Sequence, residues 1–241
     1  MVSTRLHETA AVCTRATRRL AVTAIASALL LIAETAPGAQ QGGPIRGRVE
    51  IGIPVSARRP TSAAYPGRTV PTAALAAVSE LRNVVVYLRN APAKPLPPVH
   101  AEIRQRDEAF LPRVVAVPVG SIVDFPNDDP IYHNVFSLSS ASKFNLGRYP
   151  QGKSKSVKFD KPGLVRVFCD IHSHMSASVL VFNHPWFAIP DESGHFELPE
   201  VPPGDREITA WHERLGDTSL VVHVDNGRAA TADFVLPVPA K

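Results

Sequence analysis

Apolar and polar residues alternate through Ile45-Arg46-Gly47-Arg48-Val49-Glu50-Ile51, the two-residue period of a strand with one buried face. Val84-Val85-Val86-Tyr87-Leu88 is mostly β-branched and aromatic, which makes it a good strand. From residue 99 onward, short apolar runs recur every 8–12 residues or so, separated by turn residues. They predict strands over 101–104, 114–117, 121–125, 134–138, 156–159, 164–168 and 177–182, then over 187–189, 195–198, 206–211, 220–224 and 232–236. Pro126-Asn127-Asp128-Asp129-Pro130 and Pro202-Pro203-Gly204 read as turns, because Pro presets φ while Gly, Asn and Asp accept bent backbone. Residues 54–80 read as a long loop and 91–98 as a stiff proline-rich connector. The pattern predicts an all-β chain of the sandwich or barrel kind.

The first 39 residues follow a different plan. Arg15, Arg18 and Arg19 precede the apolar run 20–33, and small residues fill 36–39. That is the layout of a cleaved secretory signal, and the run is short for a span of about 20 residues. The sequence therefore predicts a periplasmic or secreted protein with no retained membrane span. The formal charge of the whole chain is +4, and the leader holds Arg5, Arg15, Arg18 and Arg19 against Glu8 and Glu34. What remains is close to neutral, which gives no case for nucleic-acid binding. No Gly-x-Ser-x-Gly elbow, zinc-protease helix motif or phosphate-binding glycine loop is present, so the reading is not an enzyme.

Chemistry concentrates in Cys169-Asp170-Ile171-His172-Ser173-His174-Met175. Cys13 falls in the leader, so Cys169 is the one cysteine left, and Met175 is the one methionine besides Met1. Cysteine and methionine are soft ligands, imidazole suits copper, and two histidines, one cysteine and a distant methionine make a blue-copper electron-transfer site. His133 supplies the second histidine. A buried, inert cysteine is the plainer alternative. Zinc is the chemical rival, although structural zinc sites hold four Cys or His ligands and methionine serves them poorly. His174 is either a surplus solvent-facing histidine or a competitor for the metal.

The segment Val123-Asp124-Phe125-Pro126-Asn127-Asp128-Asp129-Pro130-Ile131-Tyr132-His133-Asn134-Val135-Phe136 resembles the first-ligand segment of the cupredoxins. Pro162-Gly163-Leu164-Val165-Arg166-Val167-Phe168-Cys169, followed by His172 and Met175, resembles their second-ligand segment, with the short Cys-x-x-His-x-x-Met spacing of amicyanin. The resemblance implies a Greek-key sandwich over 99–184 that binds one type 1 copper ion through His133, Cys169 and His172, with Met175 axial. It further implies that Asn134 ties the two ligand loops together and that Phe125 supports the site. Asp170 departs from the Ser or Thr usual after the cysteine. The implied function is carrying single electrons between redox proteins, for example a cytochrome or a dehydrogenase. The alternative is a non-redox copper-binding or interaction module on the same scaffold.

Asp191-Glu192-Ser193-Gly194-His195-Phe196-Glu197-Leu198, then Val201-Pro202-Pro203-Gly204, resembles the carboxypeptidase regulatory-like (transthyretin-like) sandwich. The resemblance implies a structural unit over 185–241. Residues 40–98 either join it, so that the metal-binding part is inserted within one discontinuous sandwich, or precede two consecutive domains. Lys153, Lys155 and Lys158 belong to a basic stretch that is either a solvated hairpin face or a docking patch for an acidic partner. Ile131 and Ile171 are candidates for an apolar rim near His172.

Overall fold

The computed structural model describes residues 42–52 and 80–237. The predicted leader, and the predicted loop over 54–80 except for Glu80, lie outside the described residues. No helix among the described residues is long and apolar enough to cross a membrane.

A 3-10 turn, Glu80–Asn83, separates β1 (Gly43–Ile51) from β2 (Val84–Leu88). Short strands follow: β3 (His100–Glu102), β4 (Arg104–Arg106), β5 (Ala109–Leu111), β6 (Val114–Pro118) and β7 (Ile122–Pro126). Longer ones come next: β8 (His133–Ser139), β9 (Ser142–Tyr149), β10 (Ser154–Lys158), β11 (Gly163–Phe168) and β12 (Ser176–Phe182). The chain ends with β13 (Phe187–Ala188), β14 (His195–Val201), β15 (Gly204–His212), β16 (Gly216–Val224), β17 (Ala230–Thr231) and β18 (Phe234–Leu236).

Strands β3 to β12 make one layered body. A five-stranded sheet in the order β6-β12-β11-β8-β9 faces a three-stranded sheet in the order β10-β7-β3, with β4 and β5 as a small hairpin beside them. Phe110, Phe125, Phe159, Val165 and Val167 fill the space between, all essentially sealed from water. Each such side chain stabilises the fold by roughly 1.5–3 kcal/mol through burial. The second body draws on strands from both sides of that stretch. β1 pairs with β14, β17 and β18, and β2 pairs with β13 and β15. Ile45, Val86, Leu198, Ile208 and Phe234 form its separate core.

Two strands explain their own sequences through where they sit. In β12, Ala177, Val179 and Val181 face the first core, while Leu180 and Phe182 face a third cluster. In β2, Val84, Val86 and Leu88 face the second core and Val85 joins that same third cluster. Both runs are apolar without alternation because both of their faces are covered. Phe182 stacks on Phe187 there, with ring centroids 4.5 Å apart.

Strands β5, β9 and β17 have no counterpart in the predicted list, and β4 shares only Arg104 with it. β9 is mostly half-buried or exposed. β4 and β5 are three residues each, and their outward Arg104 and Arg106 hide the buried Gln105 between them.

Candidate metal centre

In the five-stranded sheet β8 starts, and the antiparallel β11 ends, at the same edge. His133 opens β8, Cys169 follows β11, and the residues from Cys169 to Met175 arch over to β12. The arch is closed on itself: Met175 N–H donates to the His172 carbonyl at 2.9 Å, and Cys169 N–H to the Met175 carbonyl at 3.4 Å. Opposite it, the turn before His133 is organised by the fully buried Asn127. Its amide donates to the carbonyls of Ile131 and Tyr149, and its Oδ1 accepts the Asp129 N–H.

These two loops bring three donor atoms together. His133 Nδ1 and His172 Nδ1 are 3.0 Å apart, and Cys169 Sγ lies 4.0 and 3.9 Å from them. All three residues are buried, and among the described residues they form the one cluster that could hold a metal ion. A single point about 2.1 Å from each of the three atoms completes this triangle, close to the length of metal bonds to imidazole nitrogen and thiolate sulphur, about 2.0–2.3 Å.

Charge at the site is set before any ion enters. Burial penalises the Cys169 thiolate, but the hydrogen bond with His133 and the backbone N–H groups of Asn134, His172 and Ile171 hold the thiol below its ordinary value. At His133 burial opposes the cation, yet hydrogen bonds to the Asp129 carboxylate and to Cys169 outweigh it and raise the imidazole to about 9. Asp129 is penalised by burial too, but the hydrogen bond from His133 and the N–H groups of Glu108 and Asp107 keep its carboxyl below the usual range. With their protons released, the thiolate and the imidazole nitrogens would together suit a soft cation.

The other expected residues fall as follows. Met175 is buried in the same core as Cys169. Asn134 donates its side-chain amide to Asn145 on β9 at 2.8 Å, and its link to the cysteine runs through its backbone N–H. Phe125 is fully buried, and its carbonyl accepts from both Tyr149 Oη and the Gln105 amide. Asp170 is exposed and pairs with Arg148 at 3.3 Å. His174 lies outside the donor triangle, 3.6 Å from Glu108.

Ile131 and Ile171 are half-buried, while Lys153 and Lys158 are exposed and Lys158 pairs with Asp160. Lys155 turns inward: its ammonium donates to the Leu146 carbonyl and lies 5.2 Å from the Tyr149 ring centroid. The residue that the sequence reading passed over is Asp129, taken there for a turn residue. Its carboxylate is 2.7 Å from His133 Nε2. Its position four before His133, a candidate ligand, was the one available signal.

No protein-family model matches this sequence, and no curated protein matches it. Among solved structures, a copper-containing nitrite reductase from Thermus scotoductus SA-01 is similar at 25% identity, over 38% of this chain and 24% of that one, with a TM-score of 0.34. A purple cupredoxin from Nitrosopumilus maritimus is similar at 24% identity, over 34% of this chain and 99% of that one, with a TM-score of 0.32. A point mutant of amicyanin in its Cu(I) form is similar at 15% identity, over 40% of this chain and 98% of that one, with a TM-score of 0.33.

Proposed function

We propose that the body of β3 to β12 binds one copper ion and carries single electrons between redox proteins. The observation that carries this reading is the buried convergence of His133 Nδ1, His172 Nδ1 and Cys169 Sγ around one point. Two imidazoles and a thiolate form the donor set of a blue-copper site, and Met175, buried in the same core, would be the candidate fourth ligand. Copper supplies a one-electron couple. The chain supplies fixed positions for its ligands: backbone N–H groups hold the sulphur, and Asn127 fixes the turn ahead of His133. A ligand shell braced in this way favours similar geometry in both oxidation states, which an electron carrier needs.

His172 is 9% exposed whereas His133 is sealed, so the route to a partner is shortest at His172. Ile131 and Ile171 would border it, with Lys153 and Lys158 contributing charge for an acidic partner. The N-terminal leader would place the protein in the periplasm or outside the cell. The body containing β1, β2 and β13 to β18 would be a carboxypeptidase regulatory-like sandwich with a structural or docking role, and no reaction of its own.

Titration of the protein with Cu(II), followed by absorption and paramagnetic resonance beside Cys169→Ser, tests the reading. An intense thiolate-to-copper band with narrow hyperfine splitting, lost in the variant, is the expected result. Colourless binding indifferent to Cys169 would overturn it. Reversible electrochemistry then separates a carrier from a copper-holding module: a site that binds copper yet does not cycle is not an electron carrier.

A further inference from the structure

Asp129 is 7% exposed, and its carboxylate ties His133 to the β4–β5 hairpin. One oxygen accepts the Asp107 N–H at 2.7 Å. The other accepts the Glu108 N–H at 2.9 Å and lies 2.7 Å from His133 Nε2. Asp107 and Glu108 form the turn of the β4–β5 hairpin, and both are left-handed, with φ of 52° and 53°. Two successive left-handed residues aim consecutive N–H groups at one anion, the arrangement of a backbone nest. The Glu108 side chain reaches the other ligand loop, 3.6 Å from His174. The hairpin therefore touches both ligand loops, although it contributes no ligand.

We infer that Asp129 is a positioning residue for the metal, held by the β4–β5 hairpin and acting through His133. This inference rests on the copper reading of the site. The carboxylate keeps the Nε2 proton of His133 on its own side, so Nδ1 is the nitrogen left to face Cys169 and His172 and to give up its proton to a metal. An imidazole hydrogen-bonded to a carboxylate is also a more basic ligand, and such outer partners are worth 10–100-fold in metal affinity. A second buried anion beside the thiolate favours the more highly charged ion, so Asp129 strengthens binding of Cu(II) more than Cu(I) and lowers the reduction potential.

The test compares the full chain with Asp129→Leu and Asp129→Asn. Cu(II) and Cu(I) affinities come from chelator competition, and the potential from voltammetry. NMR of the metal-free protein labelled with ¹⁵N-histidine follows the His133 Nε2 proton. We expect Asp129→Leu to lose 10–100-fold in Cu(II) affinity and less for Cu(I). Each tenfold difference between the two raises the potential by about 59 mV. Asp129→Asn keeps a neutral acceptor and should fall between. A purely structural role would lower the thermal midpoint and leave the potential of the remaining loaded protein unchanged, and that result would overturn the inference. So would wild-type affinity and potential in both variants. If Asp129→Leu does not fold, Asp129→Asn carries the comparison. If the wild type takes no copper, the site reading fails. The positioning claim then stands or falls separately on whether a hydrogen-bonded His133 Nε2 proton is present in the metal-free wild type and altered in Asp129→Asn.

Discussion

His184 sits between β12 and β13, at the junction of the two bodies, and is 6% exposed. Its ring lies 5.2 Å from that of Phe182 and stacks on Trp186 at 5.8 Å. Its Nδ1 accepts the Trp186 N–H at 3.2 Å, which requires that nitrogen to be unprotonated. Burial lowers its pKa from the ordinary 6.5 to about 4. The folded value is therefore the lower one, and between pH 6.5 and pH 4 the unfolded chain binds a proton that the folded chain refuses. Stability from this residue is complete above about pH 6.5, falls as the pH drops toward 4, and is level below that.

One pH unit is worth about 1.4 kcal/mol, so the ceiling is ~3 kcal/mol, of which about 2.5 kcal/mol is lost between pH 7 and pH 4.5. Urea unfolding of metal-free protein at several pH values, read by tryptophan fluorescence, measures it beside His184→Gln. Glutamine offers an acceptor to the Trp186 N–H but has no proton to gain. Groups that titrate elsewhere do so in both proteins and cancel in the difference. The variant should be less stable at pH 7, and its deficit should shrink by about 2.5 kcal/mol by pH 4.5. Parallel stability curves, with a deficit constant to within about 0.5 kcal/mol, would refute the reasoning.

Phe125→Ala empties a fully buried site in the first core and should cost about 3–5 kcal/mol, measured by denaturant unfolding. Gly47→Ala places a Cβ 1.8 Å from the Ala232 carbonyl oxygen, so β1 and its parallel neighbours must part; a loss of at least ~1–3 kcal/mol in thermal unfolding is expected. Gln105→Leu removes the donor to Tyr149 Oη and should cost about 1–3 kcal/mol in the same assay. Glu197→Ala breaks an exposed pair with Arg46 and should change stability by less than about 1 kcal/mol.

How much of this was legible in the sequence depended on how local each signal was. The alternation through β1 and the apolar runs of β2 and β12 identified strands, because burial of one face or two writes directly into residue order. Cys169 and His172 stand in one short arch, and with His133 they were recognisable as a donor set. Asp129 was not, because its role depends on a hairpin 21 and 22 residues earlier whose strands are too short and too charged to show a period. Lys155 looked like a free charge in a basic run; that it caps the Leu146 carbonyl follows from the pairing of β9 and β10 with their neighbours, which no spacing reveals. The pairing of β1 with β14, β17 and β18 joins residues about 150 to 185 positions apart, beyond the reach of any local pattern.

That pairing has a mechanical meaning. β1 and β18 run parallel, with Val49 beside Phe234 and Ile51 beside Leu236. A tension applied between the first described strand and the last pulls these two past one another along their length. Their ladder bonds then share the load at once instead of opening one at a time like a zipper. β1 and β2 on one side, and β13 to β18 on the other, come before the strands that carry His133 and Cys169 along the chain. Load entering through β1 or β18 therefore meets this body's own pairings before it reaches the loops that hold His133, Cys169 and His172.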